Sequence, residues 1–355
     1  MRARPVAQER VPLAIGPQAR HTQGMKAAIT GTGRYFPERE ETNAYFYEEL
    51  GLDTSEDWIV ERTGIRTRRL AGPGETCSTM AVAAARRCLQ DAGRSVDDVD
   101  AIVVATVTPD QPLPSVACHV QAALGARCWA FDLVAACSGF VYGLNVVAGM
   151  VESGRAKCVL FIGADHMSSI LDFRDRNTSI IFGDAAGAVL VEAVDDDHPG
   201  TVHRSTLHAD GTGAKHLQIP AGGGAMPLTP QLLDEGLHFV KQEGRVVFRH
   251  AVSGIISVVR EHLASEGITV DDIDLFVPHQ ANVRIIHAAM DRLKVPRDKT
   301  VITIDRYANT TAASIPTALD IAREEGRVRC GDRVLFATFG AGFTWGAQTV
   351  TWGLD

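Results

Sequence analysis

"CWAFDLVAACSGFVYGLNVVAGMVESGRAKCVLFIGAD", Cys128 to Asp165, sets two apolar runs on either side of a longer, equally apolar segment. "CWAFDLVAA" reads as a buried strand and "SGFVYGLNVVAGMVESG" as a helix ending near Gly154, while "KCVLFIGAD" reads as a second buried strand. Strands that lack polar alternation are covered on both faces, and strand–helix–strand order supplies the cover. The stretch therefore predicts an α/β fold with buried strands.

The same pattern extends outward. "MKAAITGTGRYFP" is the first strand-like run, "STMAVAAARRCLQDAG" a helix with a Ser or Thr for N-cap and Gly93 as stop, "DAIVVATVT" a strand and "SVACHVQAALG" a helix. Toward the C-terminus follow helix "HAVSGIISVVREHLASEG", strand "DLFVPH", helix "ANVRIIHAAMDRLK", strand "TVITI", helix "SIPTALDIAREEG" and a last strand, "DRVLFATFG". This suggests two similar halves, 25–200 and 201–355, although no residue-level repeat is evident. "PAGGGAMPLTP" is a Gly/Pro-rich loop within the second half.

With 355 residues, the chain is long enough for one large unit or two fused ones. It has 45% hydrophobic and 22% charged residues, without an apolar run of the about 18 residues that a membrane span requires. A net charge of −8 opposes non-specific nucleic-acid binding. Seven cysteines, none at C-x-x-C spacing, predict no zinc or redox site and fit a reducing cytoplasm. Residues 1–24 carry Arg2, Arg4, Arg10 and Arg20 against Glu9 and lack a signal peptide's apolar core. They read as a disordered extension or a transit peptide, with Met25 an alternative start.

Cysteine is usually a small buried hydrophobe, and Cys77, Cys88, Cys118, Cys128, Cys158 and Cys330 are read that way. Cys137 differs in opening a helix, where unpaired N–H groups and the helix dipole favour the thiolate. Packing and nucleophilic roles both remain open on placement alone. His279 follows the apolar strand "LFVP", and Asn309 lies in "RYANTTAASIP" between a strand and a helix. Singly, a hydrogen-bonded structural histidine and a turn-forming asparagine explain them. Three strand-to-helix turns share one edge of the sheets, where open α/β folds bind ligands, and together these residues form a Cys/His/Asn constellation.

From Met25 to Trp352, "DTSEDWIVERTGIRTRR", "DLVAACSGF", "IIFGDAAGAVL", "VPHQANVRII", "YANTTAASIP" and "FGAGFTWG" occur in the order found in the type III β-ketoacyl-acyl carrier protein synthases, and the chain resembles that family. The resemblance implies a thiolase-like fold, two duplicated α/β halves in α-β-α-β-α layers, a homodimer, and a cytoplasmic enzyme of fatty acid biosynthesis that needs no cofactor. Cys137 would be the acylated nucleophile, with backbone N–H groups of Cys137 and Ala341 as its oxyanion hole. His279 and Asn309 would promote malonyl decarboxylation. An acyl-coenzyme A and malonyl-acyl carrier protein would be the substrates.

Other positions carry over from the same likeness. Trp58 and Arg176 match residues that sandwich adenine, with Thr54 and Arg62 beside them, and Asn282 matches a pantetheine contact. Leu113 in "PDQPLPSVAC", a loop reaching the partner subunit's pocket, lines the acyl site with Phe182 and Phe339. Arg249, Arg284 and Arg292 match a carrier-protein patch. Two positions depart from the pattern, Asn177 and Ala341, where glycine is common.

A thiolase would carry a second cysteine in "FATFGAGFTWG", and an elongating synthase a second histidine at Asn309. Plant-type polyketide synthases share the Cys/His/Asn set but differ in this C-terminal loop. A starter-unit synthase or acyltransferase of secondary metabolism is the alternative inside the fold. Outside it, "GTGR" at Gly31 lacks the third glycine and the helix of a dinucleotide site, and a silent carrier-binding module leaves the three catalytic residue types unexplained.

Overall fold

The computed structural model describes residues 25–355, so the extension suggested for 1–24 lies outside the described residues. Five strands, β1 (Lys26–Tyr35), β2 (Ala101–Ala105), β3 (Trp129–Leu133), β4 (Cys158–Asp165) and β5 (Ala185–Val194), form one sheet in the order β1-β5-β4-β2-β3. A second sheet holds β6 (Thr201–Ala209), β7 (Leu275–Pro278), β8 (Arg333–Gly340) and β9 (Thr344–Thr351) in the order β7-β8-β9-β6. Each contains a parallel pair (β2 with β4, β7 with β8) followed by two antiparallel strands, and in the first sheet β3 adds one more parallel strand at the edge. The chain thus builds the same four-strand pattern twice, with β3 extra in the first sheet, and the change of sheet falls between Val194 and Thr201.

The longer helices among the described residues complete the layers: α1 (Glu56–Thr63), α2 (Cys77–Asp91), α3 (Val116–Leu124), α4 (Gly139–Glu152), α5 (Gly244–Glu266), α6 (Val283–Leu293) and α7 (Ser314–Glu324). Helices α2 and α3 cover the outer face of the first sheet, and α5 and α6 that of the second. Between the sheets lie α4 and α7, whose Phe140, Leu144, Ile315 and Leu319 pack with Val103, Phe161 and Val189 of one sheet and Val277, Phe336 and Val350 of the other. Each such side chain contributes about 1.5–3 kcal/mol of burial. Sandwiching explains the sequence of α4: covered on both sides, it needs no polar stripe.

Three strands, β5, β6 and β9, were not legible as strands, and "DRVLFATFG" is followed by β9 instead of being last. "TVITI" does not form a strand. It makes a single parallel bridge, Phe276 with Thr300, beside β7, and a short helix follows from Ile304 to Tyr307. The reason is Gln280, whose Oε1 accepts the N–H groups of Thr303 and Ile304 at 2.9 and 3.2 Å, leaving them unable to join a ladder.

Of the cysteines taken as packing residues, Cys77, Cys88 and Cys158 are buried, whereas Cys118 and Cys330 are exposed and Cys128 is half-buried. Cys118 falls on the solvent side of α3 and Cys330 in the turn before β8, places that the apolar pattern of neighbouring residues did not reveal. All are free thiols.

Candidate active site

Cys137 sits in a 3₁₀ turn, Ala136–Ser138, that enters α4. Ala136 has φ +47°, a left-handed conformation costly to a residue with a Cβ, and this sharp entry aims the next side chain. The turn packs on the end of β8. A Cβ added to Gly340 would stand 2.9 Å from the Cys137 nitrogen, so only glycine fits there. The Thr338 hydroxyl donates to the Cys137 carbonyl at 2.8 Å.

The expectation that the helix start favours a thiolate does not hold for the free protein. Burial pushes the Cys137 thiol up to about 12, and the buried Asp165 carboxylate adds to the shift. Desolvation of the anion outweighs the dipole of α4.

The turn has a counterpart in the other half. Thr311–Ala313 is also a 3₁₀ turn leading into a helix, α7, and its first residue, Thr311, has φ +49°. Matched turn for turn, Ala136 corresponds to Thr311, Cys137 to Ala312 and Gly139 to Ser314. Ala312 presses on Gly163 of β4, whose added Cβ would lie 2.4 Å from the Ala312 carbonyl oxygen. The nucleophile exists in one half only.

Asn309 precedes that second turn. Its Oδ1 accepts the Thr311 N–H at 2.9 Å, which turns the Nδ2 donor away from the turn and leaves it without an acceptor among the described residues. Its own backbone is zipped to the segment bearing Phe182: Asn309 N–H donates to the Ile181 carbonyl at 3.0 Å and Gly183 N–H to the Asn309 carbonyl at 3.1 Å. His279 follows β7, its N–H held by the Ala337 carbonyl at 2.8 Å. Its Nδ1 lies 2.6 Å from Ser314 Oγ, while Nε2 is buried and has no partner among the described residues. Burial pushes the imidazole down to about 3, so the ring is neutral at physiological pH.

One cavity of about 880 Å³ joins these groups: Cys137, His279 and Asn309 line it with Gly340, Phe182 and Phe339. Ala341 stands one residue beyond this lining, and Gly340 makes the close approach to Cys137. Trp58, Arg62, Arg176 and Asn282 also line the cavity, whereas Thr54 does not. The guanidinium carbons of Arg62 and Arg176 lie 4.3 and 5.0 Å from the Trp58 ring centroid, and Arg176 is tied to Asp53. An aromatic ring between Trp58 and Arg176 needs about 7 Å, two contact spacings of about 3.5 Å. Arg176 must therefore swing out to admit one.

Asn282 has structural work besides: its Oδ1 accepts the Arg284 N–H at 2.9 Å as the N-cap of α6, and its Nδ2 donates to the Arg62 carbonyl at 2.9 Å. Neither Asn177 nor Ala341 has positive φ, so replacing glycine strains neither.

Arg249, Arg284 and Arg292 are all exposed, on α5 and α6. These helices run side by side in the same sense, with Arg284 over the Phe248 ring near the cavity mouth and Arg260 donating to the Arg292 carbonyl at the far end. Sequence reading missed Arg245 and Lys241, which line the cavity, and Ser314 and Asp165, which buttress it. Arg245 and Lys241 carried no signal beyond being charged, while Ser314 and Asp165 read as a helix start and a strand end. Leu113 does not reach this subunit's cavity. It is 82% exposed. Among the described residues no cluster of His, Cys, Asp or Glu could hold a metal ion, and no helix is long and apolar enough to cross a membrane.

The family model for 3-oxoacyl-acyl-carrier-protein synthase III matches residues 131–211, and the model for its C-terminal part matches residues 263–352. A β-ketoacyl-acyl-carrier-protein synthase III from Roseiflexus sp. (strain RS-1) is 47% identical over 327 residues, covering 92% of this chain and 98% of the relative. The solved synthase III from Thermus thermophilus superposes with a TM-score of 0.85 at 42% identity, covering 92% of this chain and 100% of that one. The priming β-ketosynthase of the R1128 polyketide pathway gives 0.85 at 35% identity, covering 95% and 99%.

Proposed function

The chain belongs to the β-ketoacyl-acyl-carrier-protein synthase III family, and from that premise we propose which of its residues carry the acyl transfer and condensation, and on which substrates. It is an acyltransferase of fatty acid biosynthesis with a thiolase-like fold. The observation that supports the assignment of roles is that two nitrogens with no hydrogen-bond partner among the described residues, His279 Nε2 and Asn309 Nδ2, belong to residues lining one cavity with the Cys137 thiol.

Cys137 Sγ attacks the thioester carbonyl of an acyl-coenzyme A, and the oxyanion is held by the backbone N–H groups of Cys137 and Ala341. The carbon–sulfur bond to coenzyme A breaks, and coenzyme A leaves as a thiol with the proton that Cys137 gave up. Because the free thiol is so weakly acidic, this proton moves with the attack and not before it. Malonyl-acyl carrier protein then binds. Its carbon–carboxylate bond breaks, carbon dioxide departs, and the electron pair spreads onto the thioester oxygen, which accepts from His279 Nε2–H and Asn309 Nδ2–H. The enolate carbon attacks the acyl-enzyme, the new carbon–carbon bond forms, and Cys137 leaves as a thiolate that takes a proton from water. Neutral donors suit this step, since a cationic imidazole would bind the malonyl carboxylate and oppose its loss. Thiol, imidazole and amide supply every step without a cofactor.

Trp58 and Arg176 hold the adenine, with Thr54, Arg62 and Asn282 along the rest of coenzyme A. Arg249, Arg284 and Arg292 receive the acidic carrier protein, joined by Arg245 at the mouth. The enzyme is a cytoplasmic homodimer. Support comes from β3, an unpaired sheet edge, and from the exposed Leu113, Trp129, Val134 and Val146.

Incubation with radiolabelled acetyl-coenzyme A, then malonyl-acyl carrier protein, tests the scheme. Label is trapped on Cys137 in the first step and released into β-ketoacyl-acyl carrier protein in the second. No label on the Cys137 peptide defeats the assignment. A role in priming a secondary-metabolite pathway is the second reading, favoured by the likeness to the R1128 priming enzyme. An acyl-coenzyme A panel separates the two, since a secondary-metabolite primase selects a primer that fatty acid synthesis does not use.

A further inference from the structure

Ser314 is the first residue of α7, buried, with its Oγ 2.6 Å from His279 Nδ1 and 3.4 Å from the Gln280 nitrogen. The repeat of the fold gives this pair a counterpart. Gly139, first residue of α4, corresponds to Ser314 and faces Ala105 at the end of β2, as Ser314 faces His279 at the end of β7. A Cβ on Gly139 would stand 3.0 Å from the Ala105 Cβ. One half therefore carries a hydroxyl against an imidazole where the other has only a glycine against a methyl group.

We propose that Ser314 is a positioning residue that fixes His279 as the tautomer protonated on Nε2. A hydroxyl has one proton to donate. The Gln280 N–H is itself a donor, so Ser314 Oγ accepts from it, and the remaining partner among the described residues is His279 Nδ1. Nδ1 therefore receives the Ser314 proton, and the ring proton resides on Nε2, the atom left buried without a protein partner. With the opposite tautomer, Nε2 would present a lone pair to the oxyanion and repel it. Ser314 does not line the cavity and touches no substrate; it acts through the ring.

The inference rests on the donor role given to His279, and the test separates the two. Protein labelled with ¹⁵N-histidine, with His279→Gln to assign the signal, reports both ring nitrogens at neutral pH. The wild type should show a protonated Nε2 and a bare, hydrogen-bonded Nδ1. In Ser314→Ala, whose lost oxygen leaves little void, a population protonated on Nδ1 should appear. Malonyl decarboxylation should fall, by up to about 10²- to 10³-fold where the Nε2 donor is lost outright. Acetyl transfer to Cys137 should change much less, since the proposed scheme gives His279 no part in that step. Ser314→Cys, a weaker donor of the same shape, should give the same shift in smaller measure and serves if the alanine variant does not fold. An unmoved tautomer in both variants overturns the proposal. A shifted tautomer with undiminished decarboxylation sustains it and overturns the donor role of His279 instead.

Discussion

The hydroxyl of Thr311, in the second half, donates to Oδ2 of Asp165, the last residue of β4 in the first half. The same oxygen takes the Ala312 N–H at 3.2 Å, and Oδ1 takes Thr106 Oγ1, the Val107 N–H and Thr108 Oγ1 at 3.1, 2.8 and 3.0 Å. A fully buried carboxylate is tolerable when its lone pairs are filled in this way. The consequence is mechanical: the loop holding Asn309 is anchored to the half that carries Cys137.

Asp165→Asn should therefore impair catalysis without removing a reacting group. An amide has one oxygen, so either the Val107 or the Ala312 N–H loses its acceptor, while the threonine hydroxyls can turn. An orphaned buried N–H costs about 1–3 kcal/mol. Thermal unfolding should show that loss, and malonyl decarboxylation should fall more than Cys137 acylation. Wild-type stability together with wild-type decarboxylation would count against the anchor.

Asp165 also bears on the nucleophile. With burial and this carboxylate holding the Cys137 thiol up at about 12, its alkylation by iodoacetamide should keep rising about tenfold per pH unit beyond pH 9, where an ordinary thiol with a pKa of about 8.5 levels off. Asp165→Asn should move the profile to lower pH. Cys137→Ser should abolish both alkylation and acyl transfer, since an alcohol is a far weaker nucleophile. A plateau near pH 8.5 in the wild type would mean that the site is wetter than the structure has it.

Much of this was legible in the sequence because the signals are local. Apolar runs placed β2, β3, β4, β7 and β8, and a Ser or Thr cap and the Gly93 stop bounded α2. Cys137, His279 and Asn309 were findable as chemistry-bearing residues just past strands. What was not legible depends on contacts distant in sequence. The strands β5, β6 and β9 carry glycines or polar residues whose partners lie on other strands. "TVITI" has strand propensity, yet the Gln280 side chain takes its N–H groups. Burial of Cys137 arises from packing on Gly340 and cannot be seen from the helix start, so the sign of its shift was misread. Ser314 is an ordinary first residue of a helix until His279 is found against it.

The His279 ring makes folding acid-sensitive in a definite window. Its pKa in the folded protein, about 3, is below the unfolded value of about 6.5, so between those values the unfolded chain binds more protons. Stability is therefore full above pH 6.5 and falls as pH drops, by at most about 1.4 kcal/mol per unit from this group. In His279→Gln, which cannot titrate, the unfolding free energy should decline less steeply between pH 6.5 and 4. Parallel curves for the two proteins would show that the buried ring takes up its proton without unfolding.

Leu113 is the residue by which one subunit is expected to shape the other's primer pocket. It lies in the loop between β2 and α3 and is 82% exposed, and Trp129, Val134 and Val146 are also exposed, at 48, 77 and 43%. Single exposed apolar residues are ordinary, but several about one open sheet edge indicate a surface that a partner covers. In the proposed homodimer Leu113 would leave solvent and meet the neighbour's acyl chain. Each methylene of the primer that finds room gains about 0.8 kcal/mol, roughly fourfold in selectivity. Leu113→Phe should fill the end of the pocket and shift preference to shorter primers, and Leu113→Ala should admit longer ones. Both changes should leave the rate with the shortest primer nearly intact, because the thiol and its two donors are untouched. Acyl-coenzyme A competition read at the Cys137 peptide gives the ranking directly. An unchanged order of chain lengths in both variants, with sedimentation confirming that they remain dimers, would remove Leu113 from the pocket and leave it a plain interface residue.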